Sequence, residues 1–329
     1  MSFNGPVFVV GCARSGTKLI RDLMNRHPRI RIPKSETELL PYLASIIDSF
    51  GDLSQPMAFS HLCDWAMDSL YFRSERHTRD PAAYEERWRS WCRSYDLPGI
   101  FEGLIRADVD AAWDSDIIWG DKSPGYVVHL DLLHELYPEC RVVHIVRDVR
   151  DVCLSSRKAW GKSMRRNAQR WVYSMELSRR QSAVLGDRYL EIRYEDLLTD
   201  TEATMRRVAA HLDIEFVPEM LWLEESTETL GSAKGSLEVM ASAAQRWKTQ
   251  MTSGDQQRVE AIAWSTLQAH GYEVSAPPPE VHELGNVQMK LLKAYDGVQL
   301  AARRVRVWGA KDLVRLNWRL WRMQQTARV

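Results

Sequence analysis

The chain has 329 residues, and its 44 Lys plus Arg balance 44 Asp plus Glu, so no global field draws it to nucleic acid or membrane; an anionic ligand must be met by local clusters. Five cysteines (Cys12, Cys63, Cys92, Cys140, Cys153), odd in number and never in CxxC, argue against a disulfide framework and a zinc site. The opening MSFNG carries no basic or apolar leader and no run of about 18 apolar residues occurs, so a cytoplasmic chain without a membrane span is expected.

Pro6 to Cys12 is a short Val-rich apolar run, the pattern of a strand buried on both faces, and helical spacing begins after Gly16 with Leu19, Leu23 and Met24. Between them Gly11, Ser15 and Gly16 let the backbone curl so that N–H groups face an anion, with Arg14 and Lys18 adding full charges. A triphosphate loop of the GxxxxGK[ST] kind needs Lys directly after the second Gly; here Thr17 intervenes, Lys18 comes one place late and no hydroxyl follows it. The loop is therefore expected to hold phosphate-like oxygens without a dedicated metal.

Glu36 stands just before an apolar-periodic helix, where an acid also suits the helix dipole. Residues 37 to 113 read as a mostly helical insertion, with Leu62, Trp65, Ala66 and Leu70, then Tyr84, Trp88 and Trp91, as core positions. Asp108 and Asp110 form a DxD, read as acids on a solvated helix face rather than as a metal site. Ile117 to Trp119 is a short strand, Pro124 opens a helix, and Lys122 lies at the join, where doubly wound sheets put ligand contacts.

Val142 to Val146 is a second apolar strand ending in Arg147, with Ser155 two turns into the next helix. Arg147 reads as an anion contact, a salt bridge to a nearby Asp being the other role. Arg165 to Leu185 is a long amphipathic helix, Tyr189 to Arg193 a third strand, and a turn and helix follow from Tyr194. Strands alternating with helices predict an α/β fold, a parallel sheet flanked by helices. Leu230 to Ala244 is small and polar, hence a loop, and Arg246 and Trp247 precede a helix over Gly254 to His270.

Ala276 to Pro279 predicts a linker that closes a catalytic domain of residues 1–275. Residues 280–329 hold ten Lys plus Arg against four acids. As a helix, Ala310 to Thr326 would put Leu313, Leu316, Trp318 and Trp321 on one broad face and Lys311, Arg315, Arg319 and Arg322 on the other. Such a helix suits a membrane interface, a second subunit or the catalytic domain, and Asn317 and Gln324 within the apolar face favour protein contact.

With the loop, Lys122, Arg147 and the YED segment in hand, residues 6 to 275 resemble the PAPS-dependent sulfotransferases, especially tyrosylprotein sulfotransferases and their bacterial relatives. GCARSGTKLIRDLMNRHP resembles the family's 5′-phosphosulfate loop, and IVRDVRDVCLSS its 3′-phosphate motif, with Arg147 and Ser155 eight positions apart. WGDKSP puts Lys122 on the family's catalytic Lys, RYEDLL puts Tyr194 on its adenine-contacting Tyr, and SETELL puts Glu36 on its catalytic Glu, allowing a one-residue shift. Leu19 departs from the Trp that stacks on adenine in cytosolic relatives, and Gln245 or Ser242, with Arg246, stands where the family usually offers Ser-Lys-Trp or Arg-Lys-Gly.

The resemblance implies a P-loop-like α/β domain with a helical insertion and a helical C-terminal extension. It implies PAPS as co-substrate and PAP as product, contacted by Arg14, Ser15, Gly16, Thr17, Lys18, Arg147, Ser155, Tyr194, Gln245, Arg246 and Trp247. Glu36, Lys122 and Arg14 would carry catalysis without metal, Glu36 as base ahead of His27 and His129. The expected reaction is in-line transfer of a sulfuryl group to a hydroxyl of a glycan, glycolipid or small alcohol or phenol. A peptidyl tyrosine acceptor and an ATP-dependent kinase are the alternatives. Expected partners are the hydroxyl acceptor and, through 310–326, a second copy of the chain or a membrane surface, with no nucleic acid.

Overall fold

The computed structural model describes residues 3–69, 71–72, 80–226, 237, 239–240, 243–274 and 282–308. Five strands, β1 (Val7–Gly11), β2 (Ile30–Arg31), β3 (Ile118–Lys122), β4 (Arg141–Val146) and β5 (Tyr189–Arg193), form a parallel sheet in the order β2-β3-β1-β4-β5. The pleat explains the unbroken apolar runs: in β1, Phe8 and Val10 enter one core while Val7 and Val9 enter another, all four fully buried.

The Val7 face packs under α1 (Thr17–Met24), α9 (Tyr194–Thr199) and α10 (Thr201–His211), through Ile20, Leu23, Leu197, Met205 and Val208. The Phe8 face takes the insertion, α2 (Leu40–Ile46), α3 (Pro56–Met67), α4 (Pro81–Trp91) and α5 (Leu97–Val109). It also takes α7 (Val149–Trp160), α8 (Met164–Gln181) and α12 (Ser253–Ala269), whose Trp171, Met175, Val259 and Ile262 share that core. The short helices α6 (Leu130–Leu136) and α11 (Trp247–Gln250) complete this layer, and a last helix, α13 (Asn286–Trp308), lies against α7 and α8.

Local chemistry sets the ends of these helices. Asp80, Asp96, Asp148, Ser163, Asp200 and Thr252 each accept a backbone N–H at a helix start, caps worth about 1 kcal/mol apiece. Gly161, at φ 71°, closes α7 in the left-handed region.

Several expectations need correction. Pro124 begins a 3₁₀ turn, Pro124–Val128, and the α-helix starts only at Leu130. Asp110 is exposed and pairs with Arg87, but Asp108 is not a solvated acid: the Tyr71 and Tyr84 hydroxyls both donate to its carboxylate, fixing α5 against its neighbours. Tyr84 and Trp88 are core residues as expected, and so are Leu62, Trp65 and Ala66. Leu70, Ser242, the 276–279 linker and the 310–326 helix lie outside the described residues, as does most of 230–244. Among the described residues the five cysteines are free, and no helix is long and apolar enough to cross a membrane.

Candidate active site

The C-terminal ends of the adjacent strands β3, β1 and β4 lie side by side, which is where an open parallel sheet presents ligand contacts. From β1 the chain turns through Gly11, with Arg14 (φ 75°) and Gly16 (φ 99°) both left-handed, so the first N–H groups of α1 point out of the sheet end without intrahelical partners. Gly16 is fixed by contact as well as by φ: a Cβ there would lie 2.3 Å from Cδ2 of Tyr194, whose ring rests on the loop. Ser15 is fully buried in the turn, Thr17 is the first residue of α1, and Lys18 faces the opening.

At the end of β3, Lys122 is fully buried and donates to Glu36 Oε1 at 2.7 Å. Burial pulls its ammonium below the usual Lys range, and Glu36 opposes that pull. Glu36 is held by its own segment: Thr37 Oγ1 donates to Asp121 Oδ2 at 2.7 Å, and Ser123 Oγ donates to the same oxygen at 2.8 Å while accepting the Glu38 N–H at 3.0 Å. Asp121 is fully buried, and burial pushes its carboxyl up to about 6 against those two hydrogen bonds. Glu38, itself left-handed at φ 53°, accepts the Gly125 N–H at 3.2 Å, and the surrounding protein raises its carboxyl above the ordinary range.

At the end of β4, Arg147 is buried and donates to the carbonyls of Arg14 (3.1 Å) and Ala243 (3.0 Å). Its guanidinium lies 4.3 Å from the centre of the Tyr194 ring, and Asp151 stands 3.7 Å away, so the salt bridge foreseen as its other role is also present. Arg14 Nε donates to Ser155 Oγ at 2.9 Å, tying the two strand-to-helix turns together. The N-terminus of α7 is not an open anion site, because the Asp148 carboxylate takes the Arg150 N–H.

A cleft of about 470 Å³ runs along the loop and is lined by Arg14, Gly16, Thr17, Lys18, Glu36 and Glu38 on one side and by Val127, Val128, Trp160, Lys162, Arg170 and Tyr173 on others. Arg147, Ser155 and Tyr194 touch the loop without lining this cleft. Gln245 and Trp247 line a separate pocket of about 220 Å³, where the Trp247 ring stacks 3.6 Å from the Arg150 guanidinium and its backbone N–H donates to Asp151 at 2.8 Å; Arg246 lines neither. Leu19 packs into the Val7-side core. The weaker base candidates stand apart: His27 bonds the Glu215 carbonyl and the Arg29 N–H, and neither it nor His129 lines the cleft.

The residues present fit a phosphosulfate ligand. Ser15 Oγ and Arg147 Nε are buried without hydrogen-bond partners among the described residues, a costly state that an anion's oxygens would relieve. Sequence reasoning missed Glu38, Asp121, Trp160, Lys162 and Arg170. The ETE pair and the DK pair were visible, but nothing local distinguishes a buried or cleft-facing member from a surface acid.

Comparison with known proteins gives the same direction. The chain is 26% identical over 292 residues to the protein-tyrosine sulfotransferase of Drosophila melanogaster, a match covering 83% of this chain and 53% of that protein, so it spans about half the length of that relative. It is 32% identical over 111 residues to carbohydrate sulfotransferase 2 of Mus musculus, covering 32% of this chain and 21% of the relative. The sulfotransferase domain from the curacin biosynthetic pathway superposes with a TM-score of 0.53 at 19% identity, covering 83% of this chain and all of that domain, which establishes a shared fold. A family model described as the sulfotransferase family matches residues 6–218, from the start of β1 to just beyond α10. With the loop, the buried lysine and the β4 arginine assembled at one end of the sheet, and the family match spanning all three, the chain belongs to the sulfotransferase family.

Proposed function

We propose that this protein is a PAPS-dependent O-sulfotransferase in which Glu36 takes the proton of the acceptor hydroxyl. The observation that carries this reading is the Lys122–Glu36 pair, 2.7 Å apart beside the glycine loop, with Glu36 and Lys18 facing one cleft. When bound, PAPS supplies a sulfuryl group attached to a phosphate that departs with PAP.

The α1 amides, Arg14, Ser15, Gly16, Thr17 and Lys18 would hold the 5′ end, and Arg147 with Ser155 the 3′-phosphate. Tyr194 supports the loop through Gly16 and would bound the nucleotide side. Arg246, Gln245 and Trp247 are the outer contributors. Bonding of the acceptor oxygen to sulfur would break the sulfur–oxygen bond to phosphate, and the hydroxyl proton would pass to Glu36. Protonation of Glu36 would leave the buried Lys122 ammonium without its neutralising partner, so its charge would favour the negative charge left on the departing phosphate. Pre-placed cations and amides of this kind lower the barrier without reorganisation. Nothing in the scheme draws on a metal, and among the described residues no group of three or more His, Cys, Asp or Glu is placed to hold one.

The cleft wall of Val127, Val128, Trp160 and Tyr173 supports an acceptor whose hydroxyl is carried on an apolar or ring-shaped body. A peptidyl tyrosine is the second reading, favoured by the similarity to the insect tyrosine enzyme over most of this chain. Incubation with PAPS and a panel of phenols, glycans, hydroxylated lipids and tyrosine peptides, with PAP release and acceptor mass as readouts, tests the proposal. Release that depends on an acceptor and disappears in E36Q supports it; no acceptor-dependent release rejects it.

A further inference from the structure

Helix α13 has two faces of different character. On its inner face Asp296, 5% exposed, accepts the Ser163 N–H at 2.7 Å and pairs with Arg166 at 2.8 Å, and Arg303 donates to the carbonyls of Lys158 and Ala159. Leu292 packs against the Phe8-side core. These contacts anchor the helix to α7 and α8. On the outer face Val287, Leu291, Tyr295, Val298 and Val305 are between 42% and 70% exposed. At 100° per residue they fall within an arc of about 80°, a stripe running about 27 Å along the helix. Single exposed apolar side chains are ordinary, but five on one stripe mark a contact surface.

The sequence of the helix is strongly cationic. Residues 286–308 contain Lys290, Lys293, Arg303, Arg304 and Arg306 against a single acid, Asp296, which is spent inward on Arg166. Beside the helix a groove of about 520 Å³ is lined by Leu292 and Tyr295 together with Arg157, Lys162, Arg165 and Arg258, and its one acid, Asp255, pairs with Arg157 at 2.8 Å. Lys162 belongs to this groove and to the active-site cleft alike.

We propose that the outer face of α13 and the basic groove beside it dock on an anionic lipid surface. The apolar stripe would enter the headgroup and acyl boundary while Lys290, beside the stripe, and the groove cations reach lipid phosphates, the arrangement of an interfacial helix. A second copy of the chain is the weaker occupant, because pairing two such faces sets cation against cation. Docking would bring the shared Lys162, and with it the mouth of the cleft, to the interface where a lipid-borne hydroxyl is presented. That last consequence rests on the sulfuryl-transfer reading; the docking itself does not.

The test is co-sedimentation of the full chain at low salt with phosphatidylcholine vesicles and with vesicles containing about one quarter phosphatidylglycerol, for wild type and for L291E/V298E, two exposed positions outside the catalytic machinery. Wild type should pellet with the anionic vesicles and not the neutral ones, and the double variant should lose partitioning by about tenfold or more. Three results overturn the proposal: no wild-type binding to anionic vesicles, equal binding by the double variant, or a wild-type dimer in light scattering that the double variant dissociates without any vesicle binding. PAP affinity measured on the same samples reports on the sulfuryl-transfer reading separately and should be the same in both proteins.

Discussion

Lys122, fully buried at the end of β3, donates to Glu36 Oε1 at 2.7 Å, while Glu36 keeps 38% of its side chain exposed toward the cleft. One partner is thus held dry and the other open to an incoming hydroxyl. Replacing Glu36 by Gln should lower kcat by at least about a hundredfold, since general-base contributions run to 10²–10⁴. PAP affinity should change by no more than about threefold, because the cradle is untouched. Removing the charge opposite a fully buried ammonium should also destabilise the fold, by up to about 3 kcal/mol, with Gln keeping an acceptor for Lys122. Acceptor-saturated rates together with PAP calorimetry separate the two effects, and a normal rate in E36Q would remove Glu36 from the mechanism.

Arg147 links the loop carbonyl of Arg14 to that of Ala243, so it fastens the segment before α11 onto the loop. R147A should weaken PAP binding by about 2 kcal/mol, near thirtyfold, the size of a lost charge-assisted contact. R147K should fall between, keeping charge without the planar fork. An unchanged PAP dissociation constant in R147A would withdraw the 3′-phosphate assignment.

Gly16 adopts φ 99°, and a Cβ there would collide with the Tyr194 ring at 2.3 Å. G16A should cost about 1–2 kcal/mol in backbone strain, with a further loss from the displaced ring, and PAP affinity should fall with it. Removing the ring should relieve part of that cost. The urea midpoint of G16A/Y194A should therefore lie higher than the two single losses added together predict, the signature of residues in contact. Strict additivity would mean that the ring does not set the loop.

Asp121 is fully buried and its carboxyl is pushed up to about 6, from 3.8 in the unfolded chain. Across that window the folded protein holds a proton that the unfolded chain releases. The contribution of this group to stability is therefore complete below about pH 4 and is lost as pH rises through about 6. Relative to D121N, wild type should lose stability between about pH 4 and about pH 6.5, read from urea midpoints of the two proteins. Because Asp121 anchors Thr37, between Glu36 and Glu38, D121N should also lower kcat more than it raises acceptor KM. A wild-type-to-variant difference that stays flat with pH would contradict the burial argument.

Sequence and structure agree most closely where one local signal suffices. The β4 run was legible because both faces of the sheet are buried there, which leaves a nearly continuous apolar stretch, whereas Tyr189–Arg193, at the sheet edge, is a strand with only Ile192 fully buried. β2 was not legible, since two residues paired to Ile118 and Trp119 show no period. The helix at 286–308 was not legible, because its apolar residues divide between an inner and an outer face and so blur any single stripe.

The site shows the same division. The loop could be read from residues that are neighbours in sequence. Glu36 with Lys122, and Arg14 with Ser155, lie 86 and 141 residues apart, and only the family resemblance joined them before the fold did. Gln245 and Trp247 were placed by motif position, yet they line a different pocket from the loop. Asp108 read as an ordinary acid and Asp121 drew no reading, because hydroxyls that hold them come from other segments: Tyr71 and Tyr84 for Asp108, and Thr37, alongside the local Ser123, for Asp121.

The most direct measurement is calorimetric titration of the wild-type protein with PAP in the presence of EDTA and, separately, with ATP and magnesium. Both ligands address the loop of Gly11 to Lys18 before any acceptor is known. Tight PAP binding that needs no metal, with ATP-magnesium binding much weaker, is the predicted result. Binding of ATP-magnesium alone would contradict the account and turn the displaced Lys18 into part of a phosphotransferase site.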